Sequence, residues 1–415
     1  MTPGAMGRDH HILGTNPPLV SVIIPTFNSG PWLGQAIESA LAQTYPSIEI
    51  VVVNDGSTDP RTRETALTYV PRITYIEREN GGVAAARNAG IETSNGELIA
   101  LLDQDDVWLP HKLEAEVNAW SAHAGVALIH SSYHLINERG ERLSTSGDQK
   151  WLTRLKDGEY KPLPDLLLHV PICAATTLFP RRLLQEVGMF DPTLSGTDDW
   201  DLWLRMAAHG YTFYCVGEPL AEYRTHPHNT SRDIDLMVGG VLRTLDKFYA
   251  QTNIPENALL VRDRAYFNKH TWAASLYYGA GNLAKAQNHL QAAIRRFPQG
   301  ITTGRFLQSL IHANHQAGGP PPGRSDIDQA AHFLRRSIAQ AGLSSATRRA
   351  MVRKITARTK LLHALQSGHP AQLASALMYD PALVVDREVW SALRRKSAVI
   401  LSRLPIGTPT TTAPR

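Results

Sequence analysis

The chain has 415 residues, of which 43% are hydrophobic, and this length suffices for a buried core and for two domains. Its two cysteines exclude a disulfide scaffold, and because no apolar run reaches the ~18 residues of a membrane span and no apolar leader opens the chain, we expect a soluble, cytoplasmic protein. The net charge of +4 is unevenly spread: residues 324–403 hold 14 Lys and Arg against 5 Asp and Glu, so this part carries +9 and the rest −5.

Strand-like and helix-like segments alternate through the first third of the chain. Short runs rich in apolar and β-branched residues occur at residues 19–25, 49–54, 72–76, 97–102 and 126–131. Helix-like segments separate them, at residues 32–43, from residue 60, and at 83–93 and 110–123. Strands that are apolar throughout and alternate with helices predict an α/β fold, with a mostly parallel sheet covered by helices on both faces.

Polar residues follow three of these predicted strands. Ligands of such sheets bind at the carboxyl ends of the strands, so these residues predict a site. The three segments are Pro25-Thr26-Phe27-Asn28, Asn54-Asp55-Gly56-Ser57 and Asp103-Gln104-Asp105-Asp106.

The acidic segment is the strongest of these signals. Two carboxylates one residue apart, Asp103 and Asp105, can direct hard oxygen ligands at one divalent cation, Mg²⁺ or Mn²⁺. Such a cation would offset the charge that builds on a departing diphosphate. The alternative is a solvated acidic turn that caps the helix starting near Pro110.

Asp55 follows an apolar strand and precedes Gly56-Ser57. Its carboxylate can accept the imide N–H of a uracil or thymine ring and so select the base. An Asx-turn explains the same residues equally well.

Two glycines, Gly81 and Gly82, open a helix of small residues that contains Arg87 about one turn in. From this position Arg87 can pair with a donor phosphate or with the carboxylates of residues 103–106. A Gly-Gly pair before a helix is by itself a poor indicator of function.

Three acids in four residues, Asp198, Asp199 and Asp201, stand at the start of an amphipathic helix. They can simply stabilise the helix N-terminus. One of them can instead be a general base that removes the proton of an acceptor hydroxyl as it attacks an anomeric carbon. A direct displacement of this kind needs no nucleophilic residue and inverts the configuration.

Residues 223–231 form a further polar segment. Within it, His226 can complete the shell of the metal or contact a diphosphate, and Arg224 can neutralise the diphosphate. A loop histidine with a purely structural role is the alternative.

Taken together, these segments resemble the family-2 inverting glycosyltransferases of the GT-A fold. The resemblance covers about residues 18–232, and the matching strings occur in the order typical of the family. They are residues 20–28, 53–59, 81–90, 102–106 and 198–205.

The resemblance implies roles for individual residues. The nucleoside pocket would be lined by Pro25, Thr26 and Asp55, with Arg87 nearby. Asp103 would lie by the ribose or the metal, and Asp105 would bind Mn²⁺ or Mg²⁺. Asp199 would be the base. The family more often has glutamate at the position of Asp198, which leaves the base to be chosen among Asp198, Asp199 and Asp201. The donor would be a UDP-sugar, and the acceptor a glycan, a lipid-linked molecule or another envelope component.

The second half of the chain lies outside the resemblance and reads as helical. Gly281-Asn282 predicts the turn of a helical hairpin at 270–298, either tetratricopeptide-like or an ordinary helical pair. The predicted divisions are a disordered tail (1–17), the GT-A domain (18–235), a helical region (236–316), a linker (317–324), a basic helical module (325–404) and a second tail (405–415).

Two other classes of function offer alternative interpretations of the sequence. An oxidoreductase of similar fold needs a glycine-rich loop after the first strand, where this chain has Pro25-Thr26-Phe27-Asn28. The remaining alternative is a catalytically inactive nucleotide-sugar-binding or scaffold protein that acts through its basic module. No nucleic-acid reader motif is present.

The basic residues between Arg348 and Lys360 predict an amphipathic helix that contacts an anionic membrane, or a solvated face of a helical bundle.

Overall fold

The computed structural model describes residues 17–143, 157–169, 172–302, 304–313 and 323–367, together with Ser375, Ala376, Met378 and Asp380. By its internal contacts the chain divides into two compact units, Met1–Arg262 and Asp263–Arg415. Outside the described residues lie the two predicted tails (except Pro17), most of the predicted linker and the end of the basic module.

The first unit begins with alternating strands and helices, as the sequence predicts. These elements are β1 (Val20–Thr26), α1 (Leu33–Leu41), β2 (Ile48–Asp55), α2 (Pro60–Leu67), β3 (Thr74–Arg78), α3 (Val83–Thr93) and β4 (Leu98–Leu101). β1 pairs in parallel with both β2 and β4, and β2 pairs in parallel with β3. Every residue of β1 and β4 is buried, which explains why these strands are not amphipathic in sequence.

The rest of the first unit departs from this parallel arrangement. Its elements are β5 (Val107–Trp108), α4 (Lys112–Ala122), β6 (Val126–Ile136), β7 (Gly158–Tyr160), α5 (Asp165–Leu168), β8 (Thr177–Pro180), α6 (Leu183–Val187), α7 (Asp198–Ala208), β9 (Thr212–Arg224), α8 (Ile234–Tyr249) and α9 (Glu256–Leu259). The sheet order is β3-β2-β1-β4-β8-β6-β9-β5, with β7 on β9. β8 is antiparallel to both β4 and β6, and β9 is parallel to β6 but antiparallel to β5 and β7.

This mixed sheet determines where the polar loops meet. The loops after β1, β2 and β4 leave the same edge because the three strands are parallel neighbours. β9 ends at Arg224 beside β5, which directly follows the acidic loop after β4. The sheet therefore brings the segment after residue 223 to the predicted strand-end site.

α3 packs very closely on the sheet at Gly90. A Cβ on Gly90 would lie 2.6 Å from Ile23 Cγ2 and 3.0 Å from Val53 Cγ2. Both contacts are methyl groups of buried β-branched residues in strands, which cannot move aside easily. The close approach holds α3, and with it Arg87, against β1 and β2.

The second unit is helical in its described part. Its elements are α10 (Arg262–Gly279, starting at the boundary residue), α11 (Leu283–Arg296), α12 (Gly304–Ala313), α13 (Arg324–Ala339) and α14 (Ser345–Ser367). The Asn282 side chain caps α11 by accepting a hydrogen bond from Lys285 N at 3.1 Å. No described helix is both long and apolar enough to cross a membrane.

Candidate active site

The loop that follows β1 is tied to both neighbouring loops. Gln104 Oε1 accepts hydrogen bonds from Thr26 Oγ1 and Phe27 N, both at 2.8 Å. Asn28, with a positive φ of 46°, accepts bonds from the backbone of the loop after β2, with Asp59 N at 3.0 Å. Gln104, the neighbour of Asp105 in the acidic segment, thus ties the loop of Pro25 and Thr26 to that segment.

Asp55 organises the start of α3. Its carboxylate accepts hydrogen bonds from the Arg78 guanidinium, from Gly81 N at 3.1 Å and from Gly82 N at 2.7 Å. Gly82 has a φ of 86°, which favours glycine and allows the amide to point at the carboxylate. The Asp55 side chain is only 4% exposed. Arg78 was not predicted from the sequence, although it lies at the end of β3 and pairs there with the end of β2.

Arg87 joins two of the predicted acidic segments. Its terminal nitrogens donate to Asp103 Oδ1 and Asp198 Oδ2, each at 2.7 Å, and the residue is 4% exposed. Although its burial opposes the charge, Asp198 and Asp103 raise the pKa of Arg87, which stays a cation. Of the partners predicted for Arg87, the structure shows Asp103, one of the carboxylates of residues 103–106. Asp198 is a further partner that was not predicted.

The three acids of α7 have different surroundings. Asp198 is buried and paired with Arg87, and Asp201 is buried and paired with Arg205 at 2.9 Å and with Lys247 at 3.0 Å. Asp199 is partly exposed, forms no ion pair among the described residues and accepts a hydrogen bond from Trp200 N at 2.7 Å.

The surroundings of Asp199 favour its protonated form. Burial and then the neighbouring charge of Asp198 raise the pKa of Asp199 to about 7. A carboxyl group with a pKa near neutrality can both take and release a proton under physiological conditions. Of the three acids, Asp199 has the surroundings that suit proton transfer.

Asp105 and His226 are brought together from positions 121 residues apart in the sequence. His226 Nε2 lies 2.8 Å from Asp105 Oδ2, and Asn229 Nδ2 donates to the same oxygen at 3.1 Å. The Trp32 ring stacks on the imidazole with 4.1 Å between centroids. Burial, and then the charge of Asp103, raise the pKa of Asp105. Asn229 and Trp32 were not predicted from the sequence.

The residues present are compatible with a divalent metal. No group of three or more His, Cys, Asp or Glu side chains converges as a ready-made metal site in the described part of the chain. However, Asp105 already contacts His226, and Asp103 is near enough to affect Asp105 electrostatically. Carboxylate oxygens suit Mn²⁺ or Mg²⁺, so the two carboxylates fit the predicted ion, and the imidazole is a nitrogen donor beside them.

Arg224, for which the sequence predicts that it neutralises a diphosphate, is buried and engaged within the protein. It is 1% exposed, and its guanidinium binds the carbonyl oxygens of Asp105 and Asn137 and the side chain of Gln35. All three guanidinium nitrogens are thus engaged within the protein. The sequence could not show this because β9 had not been predicted and its end could not be placed beside the acidic loop.

Comparison with known proteins shows the family of the chain. Residues 21–188 match the family model described as glycosyl transferase family 2. An uncharacterised glycosyltransferase of Rickettsia prowazekii is 38% identical over 216 residues, which are 52% of this chain and 66% of that protein. The putative teichuronic acid biosynthesis glycosyltransferase TuaG of Bacillus subtilis is 32% identical over 212 residues, 50% of this chain and 79% of that protein.

The relatives differ in length, and the similarity to a solved structure is one of fold. The chain spans only 28–31% of three longer Rickettsia relatives. Among solved structures, residues 1–349 of S. aureus TarS in complex with UDP-GlcNAc superimpose with a TM-score of 0.52 at 14% sequence identity, covering 85% of this chain and 92% of that one. This likeness concerns the fold.

Proposed function

Because the chain belongs to glycosyl transferase family 2, we propose that it moves a sugar from a nucleotide-diphosphate donor, a UDP-sugar, to a hydroxyl of a glycan, a lipid-linked molecule or another envelope acceptor. The observation that carries the proposal is the placement of Asp199. This carboxyl group is partly exposed and has a pKa near 7. It lies next to Asp198, which pairs with Arg87, and Arg87 in turn pairs with Asp103.

In this proposal the nucleotide binds at the ends of β1 and β2. Pro25, Thr26 and Asp55 line the nucleoside pocket, and the Asp55 carboxylate accepts the imide N–H of the base. Asp55 is held by the Gly81 and Gly82 amides, so its oxygens have a fixed direction. Arg87 and Asp103 lie at the adjoining strand end, where the ribose and diphosphate would bind.

The transfer proposed is a single displacement. The acceptor oxygen attacks the anomeric carbon and forms the new glycosidic bond, while the bond from that carbon to the diphosphate oxygen breaks. Asp199 takes the acceptor hydroxyl's proton, and the nucleotide diphosphate leaves with the bonding electron pair. Attack from the face opposite the leaving group inverts the anomeric configuration.

Asp105 and His226 would hold Mn²⁺ or Mg²⁺, with Asp103 adjacent. When bound, the ion would offset the negative charge on the departing diphosphate. The chain contributes by aiming the Asp105 carboxylate, which both His226 and Asn229 contact.

The first experiment is calorimetric binding of UDP, dTDP, GDP and CMP, each with and without Mn²⁺. We expect one diphosphate, UDP, to bind only with Mn²⁺, and Asp105→Ala to abolish this metal-dependent binding. Glu114→Ala, which removes an exposed carboxylate on α4, should bind as the wild type does. Retained Mn²⁺-dependent affinity in Asp105→Ala would refute the ligand role of Asp105, and failure of every nucleotide to bind would favour the inactive-scaffold alternative.

A second proposed partner is an anionic membrane surface, reached through α14. Arg349, Arg353 and Lys354 are exposed on this helix, whereas its apolar residues Met351 and Ile355 are buried. Insertion of the apolar face into a bilayer, one form of the sequence hypothesis, is therefore not available in this fold. What supports membrane contact is the exposed positive charge, which acts at the surface of the headgroups.

A further inference from the structure

We propose that Arg224 is a positioning residue, which fixes Asp105 and His226 relative to each other. The inference rests on the proposed roles of those two side chains, and it assigns Arg224 no contact with substrate. The Arg224 side chain is buried, and its guanidinium donates to groups of the protein.

Arg224 reaches the acidic loop through two separate contacts. Its Nε donates to the carbonyl oxygen of Asp105 at 2.7 Å, and its backbone N–H donates to Asp106 Oδ1 at 2.9 Å. The first contact fixes the backbone of Asp105, and the second fixes the residue that follows. The orientation of the Asp105 carboxylate thus depends on a residue from β9.

The remaining donors of Arg224 bind two other segments. Nη2 donates to Gln35 Oε1 of α1 at 2.8 Å, and Nη1 donates to the carbonyl oxygens of Asn137 and Glu138 after β6, at 3.2 and 3.3 Å. The three nitrogens of a planar guanidinium can donate hydrogen bonds to acceptors on three sides at once. A lysine ammonium has a single nitrogen from which to donate. Arg224 therefore joins α1, the turn after β6 and the acidic loop.

His226 lies two residues beyond Arg224, so the same anchor also places the imidazole. Asn229 completes the arrangement: its Oδ1 accepts from His226 N at 2.5 Å, and its Nδ2 donates to Asp105 Oδ2 and to Arg224 O, both at 3.1 Å. Each partner of the Asp105–His226 pair is therefore held by a bond to residue 224 or to residue 229.

The test compares Arg224→Lys with Arg181→Lys. Arg181 is a matched control because its guanidinium also binds a backbone carbonyl, that of Gly96 at 2.6 Å, and a serine hydroxyl, that of Ser94 at 2.6 Å, but it lies outside the proposed site. Both variants lose partly buried hydrogen bonds and should unfold at lower temperatures. We expect only Arg224→Lys to weaken Mn²⁺ binding, by about 10- to 100-fold, as measured by the EPR signal of free Mn²⁺.

A second readout needs neither metal nor nucleotide. The ring ¹⁵N signals of His226, assigned by their loss in His226→Gln, report its contact with Asp105 at a fixed pH. We expect these signals to shift in Arg224→Lys and to stay unchanged in Arg181→Lys. Unchanged His226 signals in folded Arg224→Lys would overturn the proposal, whatever the Mn²⁺ result.

The two readouts separate this inference from the proposed function. If the wild type bound no nucleotide and no Mn²⁺, the proposed function would fail, while a shift of the His226 signals would still support positioning. Should Arg224→Lys not fold, Arg224→Gln takes its place, because its neutral amide can donate to only part of the acceptors that the guanidinium binds. Wild-type His226 signals in folded Arg224→Gln would then overturn the proposal.

Discussion

At the residue scale, the three neighbouring acids of α7 show how one short acidic string can serve different purposes. The guanidinium of Arg87 pairs with Asp198, and Lys247 and Arg205 pair with Asp201. These pairs link α7 to Arg87 of α3 and to Lys247 of α8. Asp199 has no such partner among the described residues, and its carboxyl group is free to exchange a proton near pH 7.

The proposed role of Asp199 predicts a pH profile. A general base works as the carboxylate, so kcat/KM should rise with pH through the pKa of about 7 and level off above it. Asp199→Asn should bind donor normally and lower kcat by about 10²- to 10⁴-fold, the usual contribution of a general base. Initial rates across pH 5.5–8.5 check this. Normal transfer by Asp199→Asn would move the base to Asp198 or Asp201.

The same pKa predicts a pH-dependent stability. An unfolded Asp ionises near pH 4, whereas folded Asp199 keeps its proton up to about pH 7, so its contribution to stability falls as pH rises between these values. Asp199→Asn should therefore raise the Tm at pH 8 relative to the wild type, and this gain should shrink to nothing below pH 4. Thermal unfolding at several pH values measures it.

Asp191 is a matched control, because its pKa is shifted in the opposite direction to that of Asp199. Although partial burial opposes it, hydrogen bonds from Lys247 and Thr193 hold the pKa of Asp191 down at about 2. Asp191→Asn should then lower the Tm above pH 4, with the loss disappearing as pH falls through 2. A uniform Tm change in both variants at every pH would contradict the assignment of these two pKa values.

At the element scale, α3 depends on its contact with β1 and β2. Sequence periodicity predicted the helix at residues 83–93, which matches the observed Val83–Thr93. It did not predict the close approach at Gly90, because the distance from a helix to a sheet depends on the residues of two distant strands. The glycine is a weak helix former, and its value lies in the missing Cβ.

Gly90→Ala should therefore destabilise the protein despite the better helix propensity of alanine. Alanine gains about 1 kcal/mol as a helix former, but forcing a Cβ to 2.6 Å from Ile23 costs about 1–3 kcal/mol. We expect a net loss of up to about 2 kcal/mol in the free energy of unfolding, measured with urea. Glu92→Ala, on the exposed face of α3, should change it by less than about 0.5 kcal/mol. A more stable Gly90→Ala would show that the sheet accommodates the methyl group.

At the scale of the whole molecule, charge and chemistry are divided along the chain. Every residue of the proposed active site lies in the first unit, up to Arg262, while the basic stretch of the sequence begins at residue 324. On α14 the positive side chains at 349, 353 and 354 are exposed. This division is the basis for proposing that the enzyme binds an anionic surface through its second unit.

Membrane contact through α14 predicts a charge-specific loss of binding. The double variant Arg349→Gln/Lys354→Gln should lower partitioning of the full chain onto vesicles with anionic lipid by about 30-fold, since each basic residue contributes about 1 kcal/mol. Arg264→Gln/Arg295→Gln removes two exposed charges elsewhere in the two helices α10 and α11 and should have little effect. Co-sedimentation at low and high salt measures this, and equal binding of neutral and anionic vesicles would rule the contact out.

Much of the fold and part of the site could be predicted from the sequence. Buried parallel strands are apolar throughout and helices repeat every 3.6 residues, so β1 to β4 and α1 to α4 were recognisable locally. The polar residues after β1, β2 and β4 were expected together because the ends of parallel strands share an edge. The family was identifiable for the same reason, since its motifs are short and local.

Only the tertiary structure decided the contacts between distant segments. The pairing of Arg87 with Asp198 spans 111 residues, and that of His226 with Asp105 spans 121. The antiparallel β8 and the long β9 bring Arg224, at the end of β9, beside the acidic loop, where its guanidinium binds the carbonyl oxygen of Asp105. Local patterns report the period and burial of one segment, whereas the charge partner of a side chain depends on how the whole sheet is assembled.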